Sequence, residues 1–277
     1  MKKRIAVIGS GIAGLTSGWL CREAGAEVTI LETHANRGMG THTQFLNVEG
    51  GESGHVDVPL RVMSPHAWPT VLELCEKLGV KTFEVDTQIA CSWLNSRTWF
   101  RSSKIQFGSR MFPWAPLNYL LRQETYRIIL GFIRLFKSDP DLLDSGLTLK
   151  EFSDQHRIDP LFWKGLLYPL LTTICTSDEK TIDQWPANQI LDLLQKIVFG
   201  ARLRRIQGGT KALADKLGEG LNFQKGIRVE KLVEKSLGIF LHSQNATFGP
   251  FDYVISAVQA NQLNFLPEQY SSESKLL

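Results

Sequence analysis

The chain has 277 residues, 43% hydrophobic and 21% charged, and its 31 basic and 28 acidic side chains leave a formal charge of +3. That composition excludes a disordered or collagen-like chain, and so small a charge does not suggest a nucleic-acid partner. The length admits one or two domains with a sizeable core. Cys21, Cys75, Cys91 and Cys175 are scattered, with no CxxC pair and no Cys/His cluster at metal spacing. Neither a disulfide framework nor a metal site is expected, and a reducing, cytoplasmic setting is. The apolar run after Met1-Lys2-Lys3-Arg4 is too short for a signal peptide, and no stretch reaches the ~18–20 apolar residues that span a bilayer.

In chain order, residues 3–8 are short, rich in Ile and Val and stopped by glycine, the pattern of a buried parallel strand. A helix is predicted next over 12–24, with Leu15, Trp19 and Leu20 on an apolar face and Gly25 where a C-cap belongs. A strand over 27–31 completes a βαβ unit, whose sheet must be parallel. Residues 33–66 read as an extended or looped segment with one short strand over 55–58, and 69–78 as a helix ended by Gly79. Aromatic and aliphatic residues alternate from 83 to 107, which predicts a sheet of hairpins. Beyond Pro113 and Pro116 the pattern predicts helices over 117–137, 148–156, 160–173 and 187–199, then strands over 226–232, 239–243 and 251–257. The expected architecture is α/β: a Rossmann-like nucleotide-binding domain at 1–70 and 204–277, interrupted by an inserted α+β substrate domain at 71–203.

Gly9-Ser10-Gly11-Ile12-Ala13-Gly14 is a GxGxxG turn between the first strand and the first helix. In that context Gly9 permits the tight turn, Gly11 lets a pyrophosphate approach the backbone, and Gly14 lets helix and strand pack closely. The phosphates would lie on the free amides at the helix N-terminus. Glu32 ends the second strand, 18 residues after Gly14, where a carboxylate accepts hydrogen bonds from a ribose and repels a 2′-phosphate. Glycines that served packing alone would not require this acid, so dinucleotide binding is expected. The turn by itself does not separate FAD from NAD.

The segments C-terminal to the turn carry a resemblance. Glu32-Thr33-His34-Ala35-Asn36-Arg37-Gly38-Met39-Gly40-Thr41 resembles the second glycine-rich element of the flavin amine oxidase and phytoene desaturase superfamily, in which an acid is followed by Arg and a Gly-Gly pair. Val56-Asp57-Val58-Pro59-Leu60-Arg61-Val62 is similar to the element that passes beside the flavin in that family, and Gln207-Gly208-Gly209-Thr210 to its GG helix start. Ile227-Arg228-Val229-Glu230 is similar to its adenine-bracketing strand, and Phe251-Asp252-Tyr253-Val254-Ile255-Ser256-Ala257 to its D-x-V-I-x-A strand. Met39 stands where the second glycine of the pair is usual, and Gly40 where an Arg often comes next. The resemblance implies FAD as cofactor, with Gly9–Gly14, Glu32, Thr33, Arg37, Gly38, Gly40, Thr41, Arg61 and Val229 binding it. It implies an oxidoreductase that moves a hydride equivalent from an apolar or amine substrate to flavin. It also implies a C-terminal part, a G-D strand and helix start, which the 277 residues are expected to lack. The alternatives are a non-catalytic or truncated dinucleotide-binding protein and an NAD-dependent enzyme.

No catalytic side chain is singled out. His34, His42, His55 and His66 cluster in sequence without an HxH or HxxxH pair, so loop hydrogen bonding is expected over metal binding. Trp93, Trp99, Phe100, Phe107, Phe112 and Trp114 suit either a substrate cavity or a sheet core. The cations Arg122, Arg127, Arg134 and Lys137, facing the single acid Glu124, admit a peripheral membrane contact, although a substrate-domain helix is the preferred reading. No GxSxG elbow or GxxxxGK loop supports hydrolase or phosphoryl-transfer chemistry.

Overall fold

The computed structural model describes residues 2–38, 43–58, 61–85, 88–94, 96–107, 110–114, 116–198, 202–267 and 270. They form two units: Met1–Met63, Thr70–Phe83 and Arg204–Leu277 in one, Ser64–Pro69 and Glu84–Leu203 in the other. Residues 71–83, assigned to the insertion from sequence, therefore group with the first unit. The reason is packing: Cys75 and Val80 are buried with Leu15, Ile206, Leu213 and Leu217 in one apolar cluster.

The first unit is built on a four-stranded parallel sheet in the order Asn222–Lys225, Glu27–Glu32, Arg4–Ile8, Tyr253–Ser256. Successive side chains of a strand point to opposite faces, and both faces here are covered. Ala6, Ile8 and Leu31 pack on one side with Val229, Leu232, Leu241 and Phe251. Val7, Val28 and Ile30 pack on the other with Leu221. Double burial explains why the strands read as continuous apolar runs. The helix Ile12–Glu23 lies close to the sheet because position 18 is glycine: a Cβ there would stand 2.9 Å from Ile30 Cδ1 and 3.1 Å from Leu221 Cδ1. The helix ends as predicted at Gly25, whose φ is +87°, with Ala26 N donating to Cys21 O at 3.0 Å and Gly25 N to Arg22 O at 2.8 Å. This pair of bonds is a Schellman motif.

Three local expectations need correction. Thr43–Leu46 is a strand, paired antiparallel with Gly54–Asp57, in a segment read as extended or looped with no strand at that place. The strand predicted over 226–232 forms only from its end, as Lys231–Lys235, which opens an antiparallel meander with Gly238–His242 and Thr247–Phe251, while the strand that joins the parallel sheet, Asn222–Lys225, lies just before the predicted range. The first strand of the predicted hairpin region, Thr82–Val85, is held from another direction, with Arg204 Nε donating to Thr82 Oγ1 at 3.0 Å.

In the second unit the hairpin of Ala90–Ser92 with Thr98–Arg101 forms as expected, and Ser103–Phe107 pairs with Arg110–Trp114, a strand beyond the predicted range. The helix predicted over 117–137 is two, Leu117–Leu120 and Gln123–Lys137, interrupted at Arg122, whose ψ is 136°. Arg122 donates to Thr98 O at 3.0 Å and lies over the Tyr119 ring. The helix predicted over 160–173 runs through a π-helical turn, Trp163–Leu167, before Tyr168–Cys175, because Pro169 has no N–H to continue the ordinary ladder. A short helix, Glu179–Asp183, was not predicted; Asp178 caps it through Thr181 N at 2.8 Å. Leu149–Gln155 begins with a capping box between Thr148 and Glu151. The core joins Ile128, Leu135, Phe152, Phe162, Leu171 and Leu191. Gly131 gives Phe162 its place, since a Cβ at 131 would run into that ring.

Candidate cofactor site

The glycine turn sits at the carboxyl end of the first strand. From there the chain crosses to Glu27–Glu32 on one side, while Tyr253–Ser256 lies on the other. Open α/β sheets bind ligands at this kind of switch point, outside the carboxyl ends of the strands. Gly9 has φ +95°, its amide donates to Leu31 O at 2.9 Å, and a Cβ on it would stand 2.9 Å from Ala257 O. Gly14 has no room either, because a Cβ would collide with Gly9 O and reach Ala257 Cβ at 3.1 Å. Gly11 differs from both. A Cβ at Gly11 would meet nothing within 4 Å, and its φ of −60° is ordinary for any residue. The fold therefore requires Gly9 and Gly14, whereas at Gly11 it leaves open space.

That space adjoins the start of the helix Ile12–Glu23. Leu15 N donates to Gly11 O at 2.9 Å, so the amides of Ile12, Ala13 and Gly14 precede the intrahelical ladder. Gly11 supplies no side-chain cap, and no acid occupies the first turn. Unladdered amides, the positive end of the helix dipole and empty space where a side chain would project make an anion cradle.

Glu32 is buried, 7% exposed. Its Oε2 accepts from Ser10 N and from Ser10 Oγ, both at 2.7 Å, and its Oε1 accepts from His34 N at 2.9 Å. Burial is the largest single influence on its acidity and pushes the pKa up. The bonds from His34 N, Ser10 Oγ and Ser10 N together outweigh burial and hold the pKa below the usual carboxylate value. The carboxylate is thus held ionised beside the cradle, and Ile227 N donates to Glu32 O at 2.8 Å, bringing the segment that leads to buried Val229 to the same strand end.

Comparison with known proteins gives what the chain is similar to. Residues 7–78 match the NAD(P)-binding Rossmann-like domain. An L-glutamate oxidase precursor of Streptomyces viridosporus is 30% identical over 84% of this chain and 40% of its own length. The flavin-containing amine oxidase A of Sus scrofa is 22% identical over 99% of this chain and 53% of its own. Both of these relatives are oxidases by name, and the second is flavin-containing. Among solved structures, a triple mutant of putrescine oxidase aligns with 99% of this chain and 63% of its own at a TM-score of 0.59 and 16% identity, a likeness of fold. The chain spans about half the length of the curated amine-oxidase relatives it matches.

Of the residues that the amine oxidase resemblance put at the cofactor, the structure gathers Gly9, Ser10, Gly11, Ile12, Ala13, Gly14, Glu32 and Gly38, with Val229 on the segment bonded to Glu32. Gly38 packs on the turn: its amide donates to Ser10 Oγ at 2.7 Å, and a Cβ there would stand 2.9 Å from Ser10 O. Arg37 is placed otherwise. It donates to Gly218 O at 3.1 Å, pairs with Asp215 at 3.6 Å and lies over the Phe223 ring, so it neutralises the C-terminal end of the helix Gly209–Leu217. Thr33 and Arg61 are exposed, and no bond of either is recorded among the described residues. Gly40 and Thr41 lie outside the described residues.

Asp57 is a structural anchor that the sequence pattern did not single out. This aspartate is 4% exposed and accepts from Thr210 N at 2.9 Å, Thr210 Oγ1 at 3.0 Å and Thr43 Oγ1 at 2.6 Å. The helix Gly209–Leu217 is capped by Gly208, which has no side chain, so the acceptor of the Thr210 amide is an acid from the strand Gly54–Asp57, and Lys211 N donates to Thr43 Oγ1 at 3.2 Å. A lone acid in the apolar Val56-Asp57-Val58, together with a Gly-Gly-Thr helix start lacking its own cap, was the available signal. Gly18, four residues after Gly14, was likewise legible as a second close contact of helix and sheet.

Trp99 and Phe100 belong to the buried core of the second unit, with Trp93 stacked on Trp99 at 5.7 Å, which favours the core reading for these aromatics. Arg127 forms a two-pronged pair with Asp159, 2.9 Å in each arm. Among the described residues, no helix is long and apolar enough to cross a membrane, and no group of His, Cys, Asp and Glu is placed to hold a metal ion.

Proposed function

We propose that this chain holds the adenosine diphosphate half of FAD, as part of a flavin-dependent oxidase that acts on an amine or another largely apolar substrate. The observation that carries the proposal is the open space at Gly11, flanked by the unladdered amides of Ile12, Ala13 and Gly14 and by ionised, buried Glu32. Gly9 and Gly14 keep strand, turn and helix in contact. The amides at the helix start take the pyrophosphate, Glu32 takes the ribose, and Val229 flanks the adenine. Flavin, when bound, supplies the hydride-accepting chemistry, and the protein's share is to bind, orient and exclude water. No side chain of this chain is assigned a proton transfer. The second unit is the candidate substrate domain, and its free cysteines, like those of the first unit, suit a reducing cytoplasm.

The order of elements after Glu32 and the flavin oxidases among the relatives favour FAD over NAD. The test is to incubate the purified chain with FAD, remove unbound nucleotide and record the visible spectrum. Retained flavin absorption that ADP displaces, and that bleaches anaerobically on adding an amine, supports the proposal. A chain that retains NAD instead of FAD, or neither, refutes it.

A further inference from the structure

Ser10 is fully buried, and both hydrogen-bonding roles of its hydroxyl are taken. The hydroxyl donates to Glu32 Oε2 at 2.7 Å and accepts from Gly38 N at 2.7 Å. The Ser10 amide reaches the same Oε2, also at 2.7 Å. The glycine turn needs a small residue at this position, but nothing in the turn's packing needs a hydroxyl. With alanine there, Gly38 N would keep Ser10 O at 3.2 Å, and Glu32 would keep Ser10 N and His34 N. What the hydroxyl adds is an asymmetry between the two carboxylate oxygens. A carboxylate oxygen accepts about two hydrogen bonds. Among the described residues Oε2 already has two, whereas Oε1 has one, from His34 N.

Resting on the reading that this site takes an adenine nucleotide, we propose that Ser10 is a positioning residue for the ribose. By filling Oε2 it fixes the carboxylate so that the free lone pair of Oε1 receives a ribose hydroxyl. The preference of the site for an intact ribose diol is then set by Ser10 acting through Glu32, although Ser10 does not itself touch the sugar. The hydroxyl also ties the ribose acid to Gly38, so that the two glycine-rich elements meet at one side chain.

The test compares the affinity of the full chain, freed of any bound nucleotide, for ADP, 2′-deoxy-ADP and 3′-deoxy-ADP by calorimetry. In the wild-type chain, loss of the hydroxyl that meets Oε1 should weaken binding roughly tenfold or more, as expected for a bond to a charged acceptor. In Ser10→Ala, ADP should bind about threefold to tenfold more weakly while the affected deoxy analogue changes little, so the ratio between them collapses. In Glu32→Gln the ratio should already be small, and adding Ser10→Ala should leave it there. A purely structural role for Ser10 would weaken all three ligands alike and preserve the ratio, which would overturn the proposal. So would a Ser10→Ala chain whose circular dichroism shows that it does not fold, since the hydroxyl would then be a requirement of the fold. A wild-type chain that binds none of the three would refute the nucleotide reading itself, and this inference with it.

Discussion

Ser10 and Glu32, 22 residues apart, are joined twice at one oxygen: the amide and the hydroxyl of Ser10 both donate to Glu32 Oε2 at 2.7 Å. The turn that would receive phosphate and the acid that would receive ribose are thereby one hydrogen-bonded object. Each bond to a charged acceptor contributes about 1.5–3 kcal/mol.

The three glycines of the turn should separate fold from binding. Gly14→Ala places a methyl against Gly9 O, a backbone atom that cannot swing away, and should cost at least ~1–3 kcal/mol in urea unfolding. Gly11→Ala meets nothing within 4 Å and should leave stability within about 1 kcal/mol of wild type. Its methyl fills the space proposed for pyrophosphate, so FAD and ADP binding should be lost from a chain that melts normally. Calorimetric titration of both variants beside their unfolding curves checks this.

Glu32 should give the unfolding curve a pH dependence of definite sign. Its folded pKa is depressed, so the contribution to stability is full above the unfolded value, about 4.3, and is lost as pH falls through the lower folded value. The difference in urea midpoint between wild type and Glu32→Gln should be constant near neutrality and shrink below about pH 4. A difference that grows on acidification would contradict the hydrogen-bond pattern at this carboxylate.

Asp57→Ala should destabilise the first unit by about 2–3 kcal/mol, because Thr210 N, Thr210 Oγ1 and Thr43 Oγ1 would all lose their acceptor. Asp57→Asn retains one acceptor oxygen and should cost about half as much. Urea unfolding monitored by circular dichroism distinguishes the two.

Most of the nucleotide end was legible in the sequence, because its signals are local. Strand, glycine turn, helix and acid lie within 32 residues, and the periodicity of residues 3–31 states them directly. The interruption at Arg122 and the π-helical turn before Tyr168 were not legible in this way. The first depends on a bond to Thr98 O, 24 residues away, and the second on how Pro169 is accommodated inside an otherwise uniform helical pattern. Asp57 escaped for the same reason: the helix it caps lies 153 residues downstream. Arg37 is a motif position whose protein partners, Asp215 and Gly218, lie far downstream and so were not legible in the local pattern.

The most direct measurement is the titration of FAD into the wild-type chain and into Gly11→Ala, with ADP as competitor and thermal melting as control. Saturable binding to wild type that ADP competes away, absent from a Gly11→Ala chain of unchanged melting temperature, is the predicted result. Equal binding by both chains, or none by wild type, would contradict a cofactor held at this turn.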